Sequence, residues 1–146
     1  MYFSKSFGYA LRGILYVALM NDENRKIQIE EIASRLSVPR HFLGKILRTI
    51  VKQGILSSTK GPHGGFFINN KTLSTQLITL VWLIDGTQRF DECALHFRKC
   101  NSAHPCPLHS KVVEYRDSVI GIFGETTIGD LIVGNKSDFI RSIAAR

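Results

Sequence analysis

Apolar residues recur at intervals of three and four along the first half of the chain, which is the period of amphipathic helices. This spacing predicts helices over residues 5–20, 28–37 and 38–54. Pro39 stands near the first helical position of the third segment and Gly54 ends it, as proline and glycine commonly do. The positions expected to face the core are Phe7, Leu11, Ile14, Leu15 and Ala18 in the first helix, Ile29, Ile32, Ala33 and Leu36 in the second, and Leu43, Ile46, Leu47 and Ile50 in the third.

A different pattern begins at residues 55–69, where two short β-prone stretches flank the glycine-rich segment KGPHGG. It predicts a β-hairpin with a glycine-rich tip. Helical spacing returns over residues 73–86, where we expect Trp82 in the core, and over residues 109–126. In TIGD (127–130) a Thr and an Asp three residues apart predict a capping box that opens one more short helix, after which a polar, mobile end is expected. The apolar positions of the helix at 109–126 are Val112, Tyr115, Val119 and Ile122.

The order of these elements, helix, short helix, helix and hairpin, is that of a winged helix-turn-helix. We therefore expect a mainly α fold with a small β-hairpin wing. Residues 1–70 are expected to form the DNA-binding domain. Residues 71–146 are expected to hold a helix, a cysteine loop (91–108), a long helix (109–126) and a short C-terminal helix.

The net charge of +7 is concentrated in the first half of the chain. Residues 1–70 carry ten Lys and Arg against four Asp and Glu, whereas residues 71–146 carry nine against eight. A basic half favours a polyanionic partner, with nucleic acid first, although a solvated basic face has the same composition. No apolar run reaches the roughly 18 residues that a membrane-spanning helix needs, and the apolar start lacks a signal-peptide cleavage site. We therefore expect a soluble, cytoplasmic protein without a membrane partner.

The third predicted helix places cations opposite its apolar stripe. Arg40 and His41 lie at the amino end, which meets base edges when such a helix enters the major groove. Lys and Arg further along the helix are suited to phosphates. In the hairpin tip, Lys60 and His63 are candidates for minor-groove contacts. The cations that step by four, three and four residues along the helix are His41, Lys45, Arg48 and Lys52.

All three cysteines lie in the stretch CALHFRKCNSAHPCPLHS (93–110). Three cysteines cannot all pair within one chain, and a reducing compartment disfavours a disulfide. Three thiolates and one imidazole make a full ligand set for one tetrahedral metal or a small iron–sulfur cluster, although the close CxxC pairs of zinc ribbons are absent. The candidate ligands are Cys93, Cys100, Cys106 and His109.

Other interpretations of the cysteines stay open. Arg98 and Lys99 precede Cys100 and would stabilise its thiolate, which suits a thiol sensor as well as a cluster. The cysteines are also compatible with no special role. A Cys–His nucleophile needs a base fixed by a third group and a pocket, which a proline-flanked loop in a small chain offers poorly. We therefore expect no enzyme.

Three stretches resemble the IscR- and NsrR-type winged-helix transcription regulators, the iron–sulfur-cluster and nitric-oxide sensors of bacteria. They are FGYALRGILYVA (7–18), IEEIASRLSVPRHFLGKILRTIVKQGILSSTKGPHGGF (29–66) and the three-cysteine loop before a long helix. The resemblance implies a homodimer in which the helix at 109–126 crosses that of the partner. The family positions that touch DNA fall on Pro39, His41, Phe42, Lys45 and Lys60.

The resemblance also implies that Cys93, Cys100 and Cys106 hold an iron–sulfur cluster. In the IscR branch, a histidine three residues after the last cysteine completes a two-iron two-sulfur cluster, and that residue here is His109. In the NsrR branch, an acid near the start of the chain serves a four-iron cluster. This chain has Gly8 at that position, so the two-iron type is favoured, and an aerobic preparation is expected to lack it in some cases.

Together these features predict a sequence-specific DNA-binding transcription regulator that responds to redox state, nitric oxide or iron–sulfur status. The alternative is a winged-helix DNA-binding regulator without a cofactor, whose cysteines act as thiol sensors or are vestigial. Iron and sulfide content of anaerobically purified protein separates the two.

Overall fold

The computed structural model of the chain describes residues 3–23, 25–93, 95 and 99–144. Its helices are α1 (Lys5–Leu19), α2 (Ile29–Leu36), α3 (Arg40–Lys52), α4 (Leu77–Asp85), α5 (His109–Glu125), α6 (Ile128–Leu131) and α7 (Lys136–Ile143), and its strands are β1 (Ser57–Thr59) and β2 (Gly65–Phe67). Short 3₁₀ turns follow α1 and precede the cysteine loop. The architecture is mainly α with a two-stranded antiparallel hairpin, as the sequence predicted.

Helices α1, α2 and α3 pack on one another and form the core of the first half. Gly13 lets α1 and α3 approach closely, because a Cβ placed there would lie 3.2 Å from Leu47 Cδ2. Burial of each large aliphatic side chain here stabilises the fold by about 1.5–3 kcal/mol. The buried apolar residues are Phe7, Ala10, Ile14, Leu15, Tyr16 and Val17 in α1, Ile32, Ala33 and Leu36 in α2, and Leu43, Leu47 and Ile50 in α3.

A tight turn joins α2 to α3. Ser37 takes the left-handed conformation at φ 55°, and the Val38 amide donates to Ala33 O at 3.0 Å. Pro39 is the N-cap of α3, so it stands one residue before the first helical position. This turn fixes where the amino end of α3 lies relative to α2.

The hairpin packs on the segment that leads into α2. Ser57 pairs with Phe67 in the antiparallel register. On the other side, Ile27 and Phe66 exchange backbone hydrogen bonds of 2.8 and 2.7 Å. Gly65 has φ 140°, and a Cβ placed there would lie 2.6 Å from Ile27 O, so only glycine fits this crossing. The hairpin is therefore attached to the three-helix core.

The predicted capping box at the start of α6 is confirmed. The Asp130 amide donates to Thr127 Oγ1 at 3.2 Å, and the Thr127 amide donates to Asp130 Oδ2 at 2.9 Å. The hydrogen bond from the Thr127 amide to the carboxylate, and then the Thr127 side chain, hold the pKa of Asp130 below its usual value. The Leu77 amide donates to Thr126 O at 2.9 Å, so the segment after α5 returns to the start of α4.

The polar end expected after the capping box instead contains a helix, since residues 136–143 form α7. The Asn135 side chain caps this helix by accepting from the amides of Ser137 and Asp138. Arg12 of α1 donates to Ile143 O at 3.1 Å. Three apolar residues of α7 pack against the core; they are Phe139, Ile140 and Ile143.

The expected burial of Trp82 is also wrong. Trp82 is 44% exposed, whereas Leu80 and Val81 beside it are fully buried. Helix α4 is apolar nearly all round, so its pattern does not tell which side faces the core. The Trp82 side chain lies on the face of α4 that no other part of the described chain covers completely.

Helix α5 has no buried residue among those described. Phe123 stacks on Phe3, with ring centroids 4.7 Å apart, and Val119 packs against the core. Tyr115 and Ile122 are 55% and 60% exposed. Helix α5 therefore attaches to the rest of the chain through one face and presents apolar side chains on another.

One hydrophobic cluster includes residues from both halves of the chain, such as Ile14 of α1 and Val81 of α4. The division after residue 70 stays a prediction. Of the helices that the structure describes, none has the length and apolar character needed to cross a bilayer.

Candidate DNA-binding surface and cysteine site

One face of α3 is exposed and cationic, and the opposite face is the buried stripe. Lys45, Arg48 and Lys52 are exposed, while Leu47 and Ile50 between them are fully buried. No acidic residue lies in the first turn of α3. The sequence pattern located this face because charge and burial alternate with the helical period.

The amino end of α3 adds an imidazole, an aromatic ring and a guanidinium. Phe42 is 58% exposed, and its ring lies edge-on to His41 with centroids 5.9 Å apart. Arg40 is not isolated on this surface, because Glu30 of α2 accepts hydrogen bonds from its guanidinium. Pro39 is exposed at the N-cap. The ion pair with Glu30 was not anticipated from the sequence.

The hairpin tip carries the two predicted wing residues, Lys60 and His63, and both are exposed. The Gln28 side chain holds this tip by donating from Nε2 to Pro62 O at 2.9 Å. The Gly64 amide closes the turn by donating to Gly61 O at 3.0 Å. The tip is therefore fixed to the amino end of α2.

A depression of about 260 Å³ lies between α3 and the hairpin. Arg40, His41 and Arg48 supply its basic groups. Gly44 also lines it, and a Cβ placed there would have no heavy atom within 4 Å. This concave basic surface is suited to a phosphate or a base edge.

A hydrogen-bonded network joins α2 to α1 and to the segment before α2. Tyr16, which is 1% exposed, donates from its hydroxyl to Glu31 Oε2 at 2.6 Å. Arg25 donates to both oxygens of the same carboxylate, at 2.7 and 3.0 Å. Burial and then the Glu31 carboxylate raise the pKa of Tyr16 to about 12. The network fixes α2 against α1 and was not predicted from the sequence.

The structure brings two of the four predicted metal ligands into contact. Cys100 Sγ lies 3.2 Å from His109 Nδ1, at the start of α5. The His109 amide donates to Cys106 O at 2.9 Å, which places Cys106 at the same helix end. Cys93 is 4% exposed, and all three cysteines are free thiols.

Backbone contacts anchor the described parts of the cysteine loop. The Cys100 amide donates to Asp91 O at 2.7 Å, and Glu92 and Lys99 form an isolated bridge. Arg116 of α5 donates from Nη1 to Phe90 O at 3.1 Å. Arg98, which was expected to stabilise a thiolate, lies outside the described residues.

The fit of these residues to a metal centre is partial. The donor types suit an iron–sulfur cluster, since thiolates hold such clusters and histidine completes some of them. Across the described ranges, no group of three or more His, Cys, Asp or Glu side chains is gathered closely enough for one metal ion. The donor set is therefore present, with Cys100 and His109 in contact.

Two hydrogen bonds join the start of α1 to Asp85, the last residue of α4. The Ser4 amide donates to Asp85 Oδ2 at 2.9 Å, and the Ser4 hydroxyl donates to Asp85 Oδ1. Ser4 also caps α1 by accepting from the Phe7 amide. This link spans 81 positions of sequence, which is why no local pattern predicted it.

Comparison with known proteins places the chain among transcription regulators. A model of the Rrf2 family, described as "Iron-dependent Transcriptional regulator", matches residues 3–134. A protein of Aquifex aeolicus assigned as an HTH-type transcriptional regulator is 34% identical over 134 residues, which are 90% of this chain and 92% of that protein. The HTH-type transcriptional regulator NsrR of Geobacillus kaustophilus is 26% identical over 125 residues, covering 85% and 84%.

The solved structure of T. potens IscR has the same fold. It superposes with a TM-score of 0.67 at 14% identity, covering 98% of this chain and 91% of that one. The family and the named relatives are regulators, so the expectation of a regulator rather than an enzyme is confirmed. The resemblance to IscR- and NsrR-type regulators is confirmed as well. The chain belongs to the Rrf2 family of transcriptional regulators.

Proposed function

We propose that the chain is a sequence-specific DNA-binding regulator that reads duplex DNA as a homodimer through α3 and the hairpin. One observation carries this proposal: α3 presents exposed Lys45, Arg48 and Lys52 opposite fully buried Leu47 and Ile50. A helix fixed by one face and cationic on the other suits the major groove, where its charges meet phosphates and its amino end meets bases.

The residues divide into two roles in this proposal. Those at the amino end of α3 approach base edges, and those further along α3 and in the hairpin approach phosphates or the minor groove. The base-proximal residues are Pro39, Arg40, His41 and Phe42, and the backbone-proximal residues are Lys45, Arg48, Lys60 and His63. Residues 1–70 would act as the DNA-binding unit and residues 71–146 as the sensing and pairing unit.

The exposed face of α5 supports the homodimer. Tyr115 and Ile122 are more than half exposed although both are large apolar side chains. A second copy of α5 would cover them, and two copies of α3 would then meet two half-sites at a fixed separation. The family and the proposed DNA partner support a cytoplasmic location.

An iron–sulfur cluster, with the two-iron two-sulfur type favoured, is the proposed cofactor. When bound, such a cluster supplies a centre sensitive to oxidants and nitric oxide. Cys100 and His109 are in contact at the junction of loop and helix. The residues that would hold the cluster are Cys93, Cys100, Cys106 and His109.

The protein's own contacts offer a route from this site to DNA. Asp85 precedes the cysteine loop and binds Ser4 at the start of α1, and α1 packs on α3. A change in loop order would therefore alter the separation of the two recognition helices. A coupling of about 1–3 kcal/mol corresponds to about a 5–150-fold change in DNA affinity.

A second candidate is a regulator whose thiols respond without a cofactor. The contact between Cys100 and His109 favours it, because reactive cysteines commonly lie beside an imidazole. Iron and acid-labile sulfide, assayed after anaerobic purification, distinguish the two: stoichiometric iron and sulfide support the cluster, and their absence with thiol-dependent DNA binding supports the thiol sensor.

The DNA-binding proposal is tested by selection from a pool of random duplexes. The protein is expected to enrich a pseudo-palindromic site and to bind it with an affinity that falls steeply with salt. Failure to retain any duplex at low ionic strength would contradict it.

A further inference from the structure

Arg40, the first residue of α3, is held by an acid of the preceding helix. Glu30 Oε1 accepts hydrogen bonds from Arg40 Nε at 3.1 Å and from Arg40 Nη2 at 2.7 Å. Both side chains stay in contact with solvent, at 63% exposure for Arg40 and 58% for Glu30. The hydrogen bond with Arg40 is the main cause that holds the pKa of Glu30 below its usual range. The carboxylate is therefore charged at neutral pH.

The two neighbouring acids of α2 face different partners. Glu31 binds Tyr16 and Arg25 beneath the helix-turn-helix. Glu30 instead reaches across the turn to the amino end of α3. Because Glu31 is hydrogen-bonded to Tyr16 and Arg25, Glu30 is the acid of α2 that neutralises Arg40.

The hydrogen bonds to Glu30 leave one edge of the guanidinium available. They occupy Nε and one side of Nη2, and Arg40 Nη1 has no hydrogen-bond partner within the described ranges. The Nη1–Nη2 edge carries two parallel N–H donors, which can bind O6 and N7 of a guanine. A guanidinium already fixed in orientation loses less conformational entropy when it forms those bonds.

The surroundings of Arg40 leave space for a base edge. Arg40 and Gly44 line the depression between α3 and the hairpin, and the space beside Gly44 is open, since a Cβ placed there would have no heavy atom within 4 Å. Glu30 also offsets the charge of Arg40, which weakens the attraction to any phosphate regardless of sequence. Orientation and neutralisation both favour base recognition over backbone binding.

We propose that Glu30 is a positioning residue that holds Arg40 to read a guanine in the major groove beneath the start of α3. The inference rests on the proposed function, since it requires α3 to enter that groove. To the proposed function, the inference adds that Glu30 and Arg40 together determine specificity and that the base they recognise is guanine. Glu30 itself is expected to touch no DNA.

The experiment uses the site that the wild-type protein selects from random duplexes, with each base pair then changed in turn. Affinities are measured by fluorescence anisotropy over a range of salt concentrations, for the wild type and three variants. Arg40→Lys keeps the charge and removes the planar fork. Glu30→Gln removes the partner. Asp138→Asn is the matched control, because it removes one negative charge from an exposed ion pair with Arg141 in α7.

We expect one guanine whose replacement weakens wild-type binding by about tenfold or more. Arg40→Lys should lose that preference while keeping the salt dependence, because its charge is unchanged. Glu30→Gln should weaken the same preference and raise the affinity for unrelated duplexes about threefold or more above that of Asp138→Asn. The thermal unfolding midpoints of Arg40→Lys and Glu30→Gln should stay within a few degrees of that of the wild type.

Two results would overturn the inference alone. One is a wild type that selects a site while Arg40→Lys keeps every base preference. The other is a Glu30→Gln variant that behaves like Asp138→Asn in both specificity and unrelated binding. A wild type that selects no duplex would overturn the proposed function, and the inference with it.

Discussion

Cys100 Sγ lies 3.2 Å from His109 Nδ1, so a residue of the cysteine loop and the first residue of α5 are in direct contact. The contact places a thiol and an imidazole where the loop meets the helix that presents Tyr115 and Ile122. Chemistry at this pair therefore acts on the junction between the proposed sensing site and the proposed dimer helix.

Replacing either member of this pair is expected to abolish cluster binding. Anaerobically purified wild type should contain iron and sulfide and absorb visible light, whereas Cys100→Ala and His109→Ala should lose most of both, since each removes a ligand. Ser110→Ala, next to His109 and exposed, is the control and should match wild type. Undiminished iron and sulfide in Cys100→Ala would refute the ligand assignment.

Charge placed on the exposed face of α5 is expected to separate the protomers. Ile122→Arg puts a cation where a second apolar surface would pack, and an unpaired buried charge is strongly destabilising in an interface. Sedimentation should show a monomer, together with weaker DNA binding because only one half-site is engaged at a time. Ile122→Leu should remain dimeric. A dimeric Ile122→Arg protein would place the interface elsewhere.

The stability of the fold is expected to fall at high pH because of Tyr16. Its pKa is about 12 when folded, above the ordinary value of 10, so the unfolded chain releases this proton first. The contribution is fully present below pH 10 and is lost as the pH rises towards 12, by about 1.4 kcal/mol per pH unit. Urea unfolding over this range should show a shallower decline for Tyr16→Phe. Equal slopes for the two proteins would contradict the assignment.

Adding a methyl group at Gly65 is expected to displace the hairpin. The new Cβ would lie 2.6 Å from Ile27 O at a φ of 140°, so Gly65→Ala should cost about 1–3 kcal/mol of stability and weaken DNA binding. Gly8→Ala in α1 is the control, since its Cβ meets no heavy atom within 4 Å and alanine favours the helix. Urea unfolding and anisotropy measure both effects. A Gly65→Ala protein as stable as wild type would disprove the steric argument.

The helices of the first half were predictable because their apolar and charged residues alternate with the helical period. Leu43, Leu47 and Ile50 face the core as that pattern required. The hairpin was predictable from the glycines between two β-prone stretches. These are local signals, which a single sequence carries in full.

Other features depend on contacts between distant segments. Helix α7 was missed because its ends look polar, although Asn135 and the apolar Phe139 and Ile143 supply a cap and a packing face. The exposure of Trp82 could not be predicted from the sequence, because α4 is apolar nearly all round. The Glu30–Arg40 pair and the Ser4–Asp85 link require the tertiary fold that brings their members together. Likewise, the sequence identified the candidate cysteine and histidine ligands but not how they are arranged in space.

The cationic face of α3 is the central claim, and a matched-charge comparison tests it most directly. DNA affinity across salt is measured for wild type, for Lys45→Ala/Arg48→Ala, and for Lys111→Ala/Lys136→Ala, which removes two cations from α5 and α7. The account predicts that the α3 variant loses affinity and that its log–log salt slope falls by about 2, while the control stays near wild type. Equal losses in the two double variants would contradict the claim that α3 meets DNA.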